Sequence, residues 1–133
     1  MSEQPRTTAI GVLLVEDEPH LRSVLVKNLA RRGYRVAGAG TAAEAIADCA
    51  ASLPDVLVLD INLPDATGWD VLREIESRGL PRPALVMLSA APPLPSRLVE
   101  FGPLRFLEKP FPIDTFLRAV EQAARSREAV SAV

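Results

Sequence analysis

Five side chains in this 133-residue chain could do polar chemistry together: Glu16, Asp17, Asp60, Ser89 and Lys109. Each stands at or just beyond the end of a short apolar run. Glu16 and Asp17 follow Val12-Leu13-Leu14-Val15, and Asp60 follows Val56-Leu57-Val58-Leu59. Ser89 ends Ala84-Leu85-Val86-Met87-Leu88, and Lys109 follows Arg105-Phe106-Leu107-Glu108. Carboxylates brought close repel, and at least one is driven to hold a proton unless a cation neutralises them. Oxygen donors without histidine or cysteine beside them favour Mg2+ (or Mn2+). A hydroxyl and an ammonium next to such a cluster suit a phosphoryl group, the cations meeting its charge and the hydroxyl giving a hydrogen bond. Taken singly, each residue has a plainer reading. Glu16-Asp17-Glu18 is a helix N-cap cluster before Pro19, Ser89 a strand-end turn residue and Lys109 a solvated lysine. Only their joint placement favours chemistry.

That placement depends on the elements between them. Runs of four or five apolar, partly β-branched residues with polar ends predict strands at 12–15, 34–37, 56–59, 84–88 and 105–108. Helical patterns lie between them. Pro19 to Arg32 puts Leu21, Val24, Leu25 and Leu29 on one face and stops at Gly33. Thr41 with Glu44 has capping-box spacing before Ala45, Ile46 and Cys49. Gly68 to Arg78 carries Val71, Leu72 and Ile75, and Ile113 to Arg127 carries Phe116, Leu117, Val120 and Ala124. Alternating strands and helices imply a parallel sheet covered on both faces. The first, third and fourth runs are almost wholly apolar, as central strands must be. The second and fifth carry Arg35, Arg105 and Glu108 and read as edges. The order 2-1-3-4-5 of a flavodoxin-like, doubly wound five-stranded α/β sheet satisfies this. Ligands of such sheets bind at the carboxyl ends of the strands, beside the topological switch between strands one and three. Glu16, Asp17 and Asp60 fall there.

Composition narrows the classes. The length suits one domain, expected over residues 11–127, with a frayed tail at 1–10 and a short one at 128–133. The single Cys49 excludes a disulfide framework or multi-cysteine metal site. A net charge of −2 gives no basic excess for holding nucleic acid. No apolar run approaches the ~20 residues that span a bilayer, and no leader pattern opens the chain. A cytoplasmic protein without membrane or nucleic-acid partners is the expectation. Twelve prolines stand against seven glycines, and eight of the prolines lie between Pro81 and Pro112. Proline in a helix interior costs about 3 kcal/mol, so residues 92–103 are expected to form a short or irregular fourth helix, at best one or two turns over Ser96–Phe101.

Four segments in order, LLVEDEP at 13–19, VLVLDINLPDATGWDVL at 56–72, MLSA at 87–90 and FLEKPF at 106–111, resemble the receiver domain of two-component response regulators, a CheY-like family, over residues 11–127. The resemblance implies that Asp60 accepts a phosphoryl group from a histidine kinase, a histidine phosphotransfer protein or a small phosphodonor. It implies that Asp17, Asp60 and the backbone carbonyl of Asn62 hold Mg2+, with Glu16 acting through water. Ser89 matches the switch hydroxyl, Lys109 the lysine paired with the acceptor and Phe106 the rotating aromatic. Lys109-Pro110 matches a bond that is cis in the family. A signalling module follows rather than an enzyme, with phosphorylation selecting one of two packings of the face around helix four, strand five and helix five. Its downstream protein target is unspecified, and a homodimer is compatible with it.

Other readings stay open. A degenerate receiver would bind its partner regardless of phosphorylation. A small aspartyl-nucleophile phosphohydrolase would want a second Asp at position 62, which is Asn, and a cap domain. A nucleotide or flavin binder would want a glycine-rich phosphate loop, which follows no strand. Only SREAVSAV follows the last helical pattern, so the chain is expected to be a stand-alone receiver or a piece of a longer regulator. His20 reads as a solvent-facing residue and Cys49 as a small core residue. Trp69 shields the site mouth or covers its helix. Arg22, Lys27, Arg31 and Arg32 read as a solvated face of helix one, open to docking.

Overall fold

The computed structural model describes residues 9–102 and 104–132, with side chains as far as 126. The elements run β1 (Gly11–Val15), α1 (Pro19–Arg31), β2 (Arg35–Ala39), α2 (Ala42–Ala51), β3 (Val56–Asp60), α3 (Gly68–Ser77), β4 (Ala84–Ser89), α4 (Pro95–Phe101), β5 (Arg105–Glu108) and α5 (Ile113–Ala132). The five strands pair in parallel in the order β2-β1-β3-β4-β5, as expected from the apolar centre and polar edges. No helix among the described residues is long and apolar enough to cross a membrane.

The strands' two-residue period divides the core into two layers. Leu13, Val15, Leu57, Leu59, Leu85 and Met87 pack with α2, α3 and Phe101. Val12, Leu14, Val56, Val58, Val86 and Leu88 pack with Leu25 and Leu29 of α1 and with Phe116 and Val120 of α5. Every residue of β1 and β3 is buried. At roughly 1.5–3 kcal/mol for each large apolar side chain buried, this double burial is what holds the strand ends in register. β1 and β3 pair Val15 with Leu59, so Glu16 and Asp60 stand one step further along neighbouring strands. β4 pairs Ser89 with Glu108, so Lys109 emerges beside Ser89.

Caps place the helices. Glu18 caps α1, accepting from the N–H groups of Leu21 and His20. The carboxylate of Glu18 is held below its ordinary value by those two bonds, Leu21's first. Gly33, at φ 94°, ends α1 in a conformation that side-chain-bearing residues avoid. Thr41 caps α2, but Glu44 does not close the expected box. Its carboxylate instead accepts from Gly40 N–H at 2.7 Å. The full capping box is at α3, between Thr67 and Asp70.

Several boundaries differ from the sequence expectation. β2 lies at 35–39 rather than 34–37, because Tyr34 still closes α1, its N–H donating to the Leu29 carbonyl. Ala9 and Ile10, expected in the tail, are tied to Arg35: its N–H donates to Ile10 and its guanidinium to Ala9. The rest of that tail, residues 1–8, lies outside the described residues. α5 continues to Ala132, past the expected end at 127, since no proline or glycine interrupts it. The last residue of the expected C-terminal tail lies outside the described residues.

α4 is short, as the prolines imply. It spans seven residues, starts at Pro95, lacks a side-chain cap and buries only Phe101. Leu94, Leu98 and Val99 are exposed. Its hold on the domain is local. Phe101 stacks on Trp69 with ring centres 5.4 Å apart. Arg73 forks onto the carboxylate of Glu100 at 2.7 and 3.0 Å, and Arg82 donates to the Phe101 carbonyl. A segment held by one buried ring and exposed ion pairs opens more easily than a doubly buried sheet. In native-state hydrogen exchange the α4 amides are expected to open at a free energy roughly 2 kcal/mol or more below those of β3. Equal protection in the two elements would contradict this.

Candidate functional site

The carboxyl ends of β1 and β3 bring Glu16, Asp17 and Asp60 together, with one oxygen from each within 4.8 Å of the others. Glu16 is 1% exposed and Asp60 3%, whereas Asp17 faces solvent. Lys109 joins the two buried acids. Its Nζ lies 2.7 Å from Glu16 Oε1 and 2.8 Å from Asp60 Oδ2. The second oxygens are also occupied: Glu18 N–H donates to Glu16 Oε2, and Asn62 N–H donates to Asp60 Oδ1.

Three carboxylates thus face one ammonium. Burial pushes the Glu16 carboxyl above its ordinary 4.5, against the opposing hydrogen bonds from Lys109 and Glu18. Burial works to lower the Lys109 ammonium, but its hydrogen bonds to Asp60 and Glu16 outweigh this and hold it above 10.5. The surplus negative charge and all-oxygen donor set fit a hard divalent cation such as Mg2+, and Asp17 keeps one side of the cluster open to water.

The neighbouring loops hold these groups in place. Lys109 N–H donates to the Ser89 carbonyl at 2.8 Å, joining the ends of β4 and β5. The Lys109–Pro110 bond is cis. Ser89 is buried, and its Oγ accepts from Ala91 N–H at 3.3 Å. Gly68 opens α3 directly under the end of β3. A Cβ there would sit 2.7 Å from the Asp60 carbonyl oxygen, so only glycine lets α3 start so close. Phe106 is half-buried against the α2–α3 core layer.

Every site residue named from the sequence lies at this end of the sheet or on β5 beside it. Glu16-Asp17-Glu18 divides between its two readings, Glu18 as cap and the other two as cluster. Trp69 covers α3 and carries Phe101 rather than shielding the cluster. His20 is exposed. Cys49 is buried, and its thiol is pushed up to about 11 by burial and the nearby Asp48 charge.

Two residues escaped sequence reasoning. Arg22, expected on a solvated face, turns back to donate to the Glu16 carbonyl at 2.8 Å. Asp65, in the loop after β3, caps α2 from outside, accepting from Ala42 and Ala43 N–H at 2.8 and 3.0 Å. Those bonds, Ala42's first, hold its carboxylate below the ordinary range. An aspartate in a Pro-Asp loop gives no local sign of a partner over twenty residues back.

Removing Lys109 should leave two buried carboxylates without a counter-charge. Lys109→Met is expected to cost roughly 2–4 kcal/mol at pH 7.5 without divalent cations, by urea unfolding. The loss should be smaller at pH 5. A raised carboxyl makes the folded state bind its proton more tightly than the unfolded chain, so stability falls as pH rises through the folded value. Without Lys109 the Glu16 carboxyl rises further and that loss grows. Lys109 itself stays charged across this window.

Residues 12–121 match the family model described as "Response regulator receiver domain". The chain is 36% identical over 122 residues to the transcriptional regulatory protein KdpE of Mycobacterium tuberculosis, covering 90% of this chain and 53% of that protein. It therefore spans about half the length of that relative. Among solved structures it resembles the signal receiver domain of a LuxO repressor protein from Vibrio parahaemolyticus, with a TM-score of 0.83 and 27% identity over 92% of this chain and 95% of that one. The response regulator protein TrrA from Thermotoga maritima, solved in complex with Mg2+-BeF, matches with a TM-score of 0.73 and 26% identity over 86% and 98%.

Proposed function

Because the chain belongs to the response regulator receiver domain family, we propose that it is a phospho-accepting receiver of a two-component or phosphorelay system, modified on Asp60. What supports this most is the shared ammonium: Lys109 bridges buried Asp60 and Glu16 while Asp17 stays open to solvent. As a receiver domain it is a signalling protein.

An Asp60 oxygen attacks the phosphorus of a phosphohistidine on a histidine kinase or phosphotransfer protein. An O–P bond forms and the P–N bond breaks, its electron pair leaving with the imidazole nitrogen. The product is an acyl phosphate. Lys109, already on Asp60, moves onto a phosphoryl oxygen, and the Ser89 hydroxyl donates to another. Asp17, Asp60 and the Asn62 carbonyl, with Glu16 through water, would hold Mg2+ (or Mn2+), which would supply charge neutralisation for the phosphoryl oxygens. The phosphoryl group brings more negative charge than the carboxylate it replaces. Lys109 and Ser89 therefore bind the phosphorylated state better than the free one, and that difference in contact energy can select a second packing. Ser89 moving inward leaves space for Phe106, and the surface around α4, β5 and α5 changes for a downstream protein.

A cytoplasmic location belongs to the same proposal. The expectation of no nucleic-acid partner is not supported: KdpE, of which this chain spans about half, is a transcriptional regulatory protein.

Incubation with acetyl phosphate and Mg2+ is expected to add one phosphoryl group by intact-protein mass spectrometry. The gain should vanish in Asp60→Asn and with EDTA. No gain in the wild-type protein would overturn the reading, and sustained release of phosphate over many turnovers from a phosphomonoester would point to a hydrolase.

A further inference from the structure

We propose that Arg22 is a positioning residue for the acid pair, fixing the peptide between Glu16 and Asp17 and thereby setting the affinity of the cluster for a divalent cation. This rests on the receiver reading above.

Both backbone polar groups of Glu16 are held, one from β2 and one from α1. Its N–H donates to the Ala39 carbonyl at 3.0 Å, and its carbonyl accepts from the Arg22 guanidinium at 2.8 Å. The carbonyl belongs to the peptide plane that joins Glu16 to Asp17. Fixing that plane sets the direction in which the exposed Asp17 leaves the backbone. Asp17 otherwise lacks the packing that holds its two partners, since Glu16 and Asp60 are buried and bonded to Lys109.

The chain makes room for this contact. The stem of Arg22 lies along Gly38, where a Cβ would touch Cδ at 3.5 Å and Cγ at 3.6 Å. Its head lies against Gly40, where a Cβ would fall 2.9 Å from Nη1, the atom that bonds Glu16. Neither glycine has a backbone conformation that requires glycine. Gly40 is therefore explained by the space the guanidinium occupies. Glu44, bonded to Gly40 N–H, holds that turn in place.

Charge and position make opposite forecasts. Arg22 puts a cation near the place where another cation would bind. If its charge were all that mattered, Arg22→Ala would tighten metal binding. If it positions the pair, Arg22→Ala loosens it, as loss of a group that orients metal ligands does, by tenfold or more.

Mn2+ affinity of the unphosphorylated protein, read from the EPR signal of free Mn2+, separates these. Arg22→Ala is expected to raise the Kd about tenfold. Arg22→Lys, which can still donate to the carbonyl, is expected to stay within about threefold of the wild-type protein. Gly40→Ala keeps the charge but displaces the guanidinium, a flexible side chain that can move without unfolding the turn. It should also raise the Kd, and should add nothing in the Arg22→Ala background. If Arg22→Ala does not fold by circular dichroism, Gly40→Ala decides alone. Unchanged or tighter binding in Arg22→Ala, or a lower melting temperature with the wild-type Kd, overturns the positioning role and leaves the receiver reading intact. Failure of the wild-type protein to bind Mn2+ overturns both.

Discussion

One ammonium serves two buried carboxylates. Lys109 reaches Glu16 and Asp60 at 2.7 and 2.8 Å from the far edge strand. Taking an ion out of water costs several kcal/mol, so neither acid could be so nearly dry without it. Even so, the cluster carries more negative charge than Lys109 can meet. That imbalance, with an all-oxygen donor set, fits a hard divalent cation. It can exist only where the sheet ends. The faces of β1, β3 and β4 are filled with Leu, Val and Met, which can offer no hydrogen bond to an ion.

Around this cluster the loops are tied together by hydrogen bonds that cross between elements. Ala39 and Arg22 hold the Glu16 backbone, Asp65 joins the loop after β3 to the start of α2, and Lys109 N–H joins β5 to Ser89. Gly68 brings α3 against the Asp60 carbonyl. Asp60 itself is held by Asn62 N–H on one oxygen and Lys109 Nζ on the other, at the meeting point of these loops.

The opposite holds for α4. It touches the domain through Phe101 and the arginines around it, and shows Leu94, Leu98 and Val99 to solvent. The acidic cluster is thus tightly bonded, while α4 beside it is loosely held. The prolines contribute directly: Pro95 starts the helix and Gly102 stops it within seven residues.

The fold was legible because its cause is local and repeated. Apolar runs ending in acids, a hydroxyl or a lysine, separated by 3.6-period segments, allow few topologies, and charged edges select among them. The shared end of Glu16, Asp17, Asp60, Ser89 and Lys109 followed from strand direction alone. The sequence by itself determined which residue types stand at each strand end and that α4 could not be long. Tertiary structure alone decided which partner each took. Lys109 meets Glu16 across 93 residues, Asp65 caps a helix 23 residues earlier, and Arg22 leaves its apparent solvent face for a carbonyl beside Gly40. Hydrogen bonds of this kind depend on distances of a few tenths of an ångström between elements far apart in the chain. Spacing along the sequence carries no record of them until packing has brought the elements together.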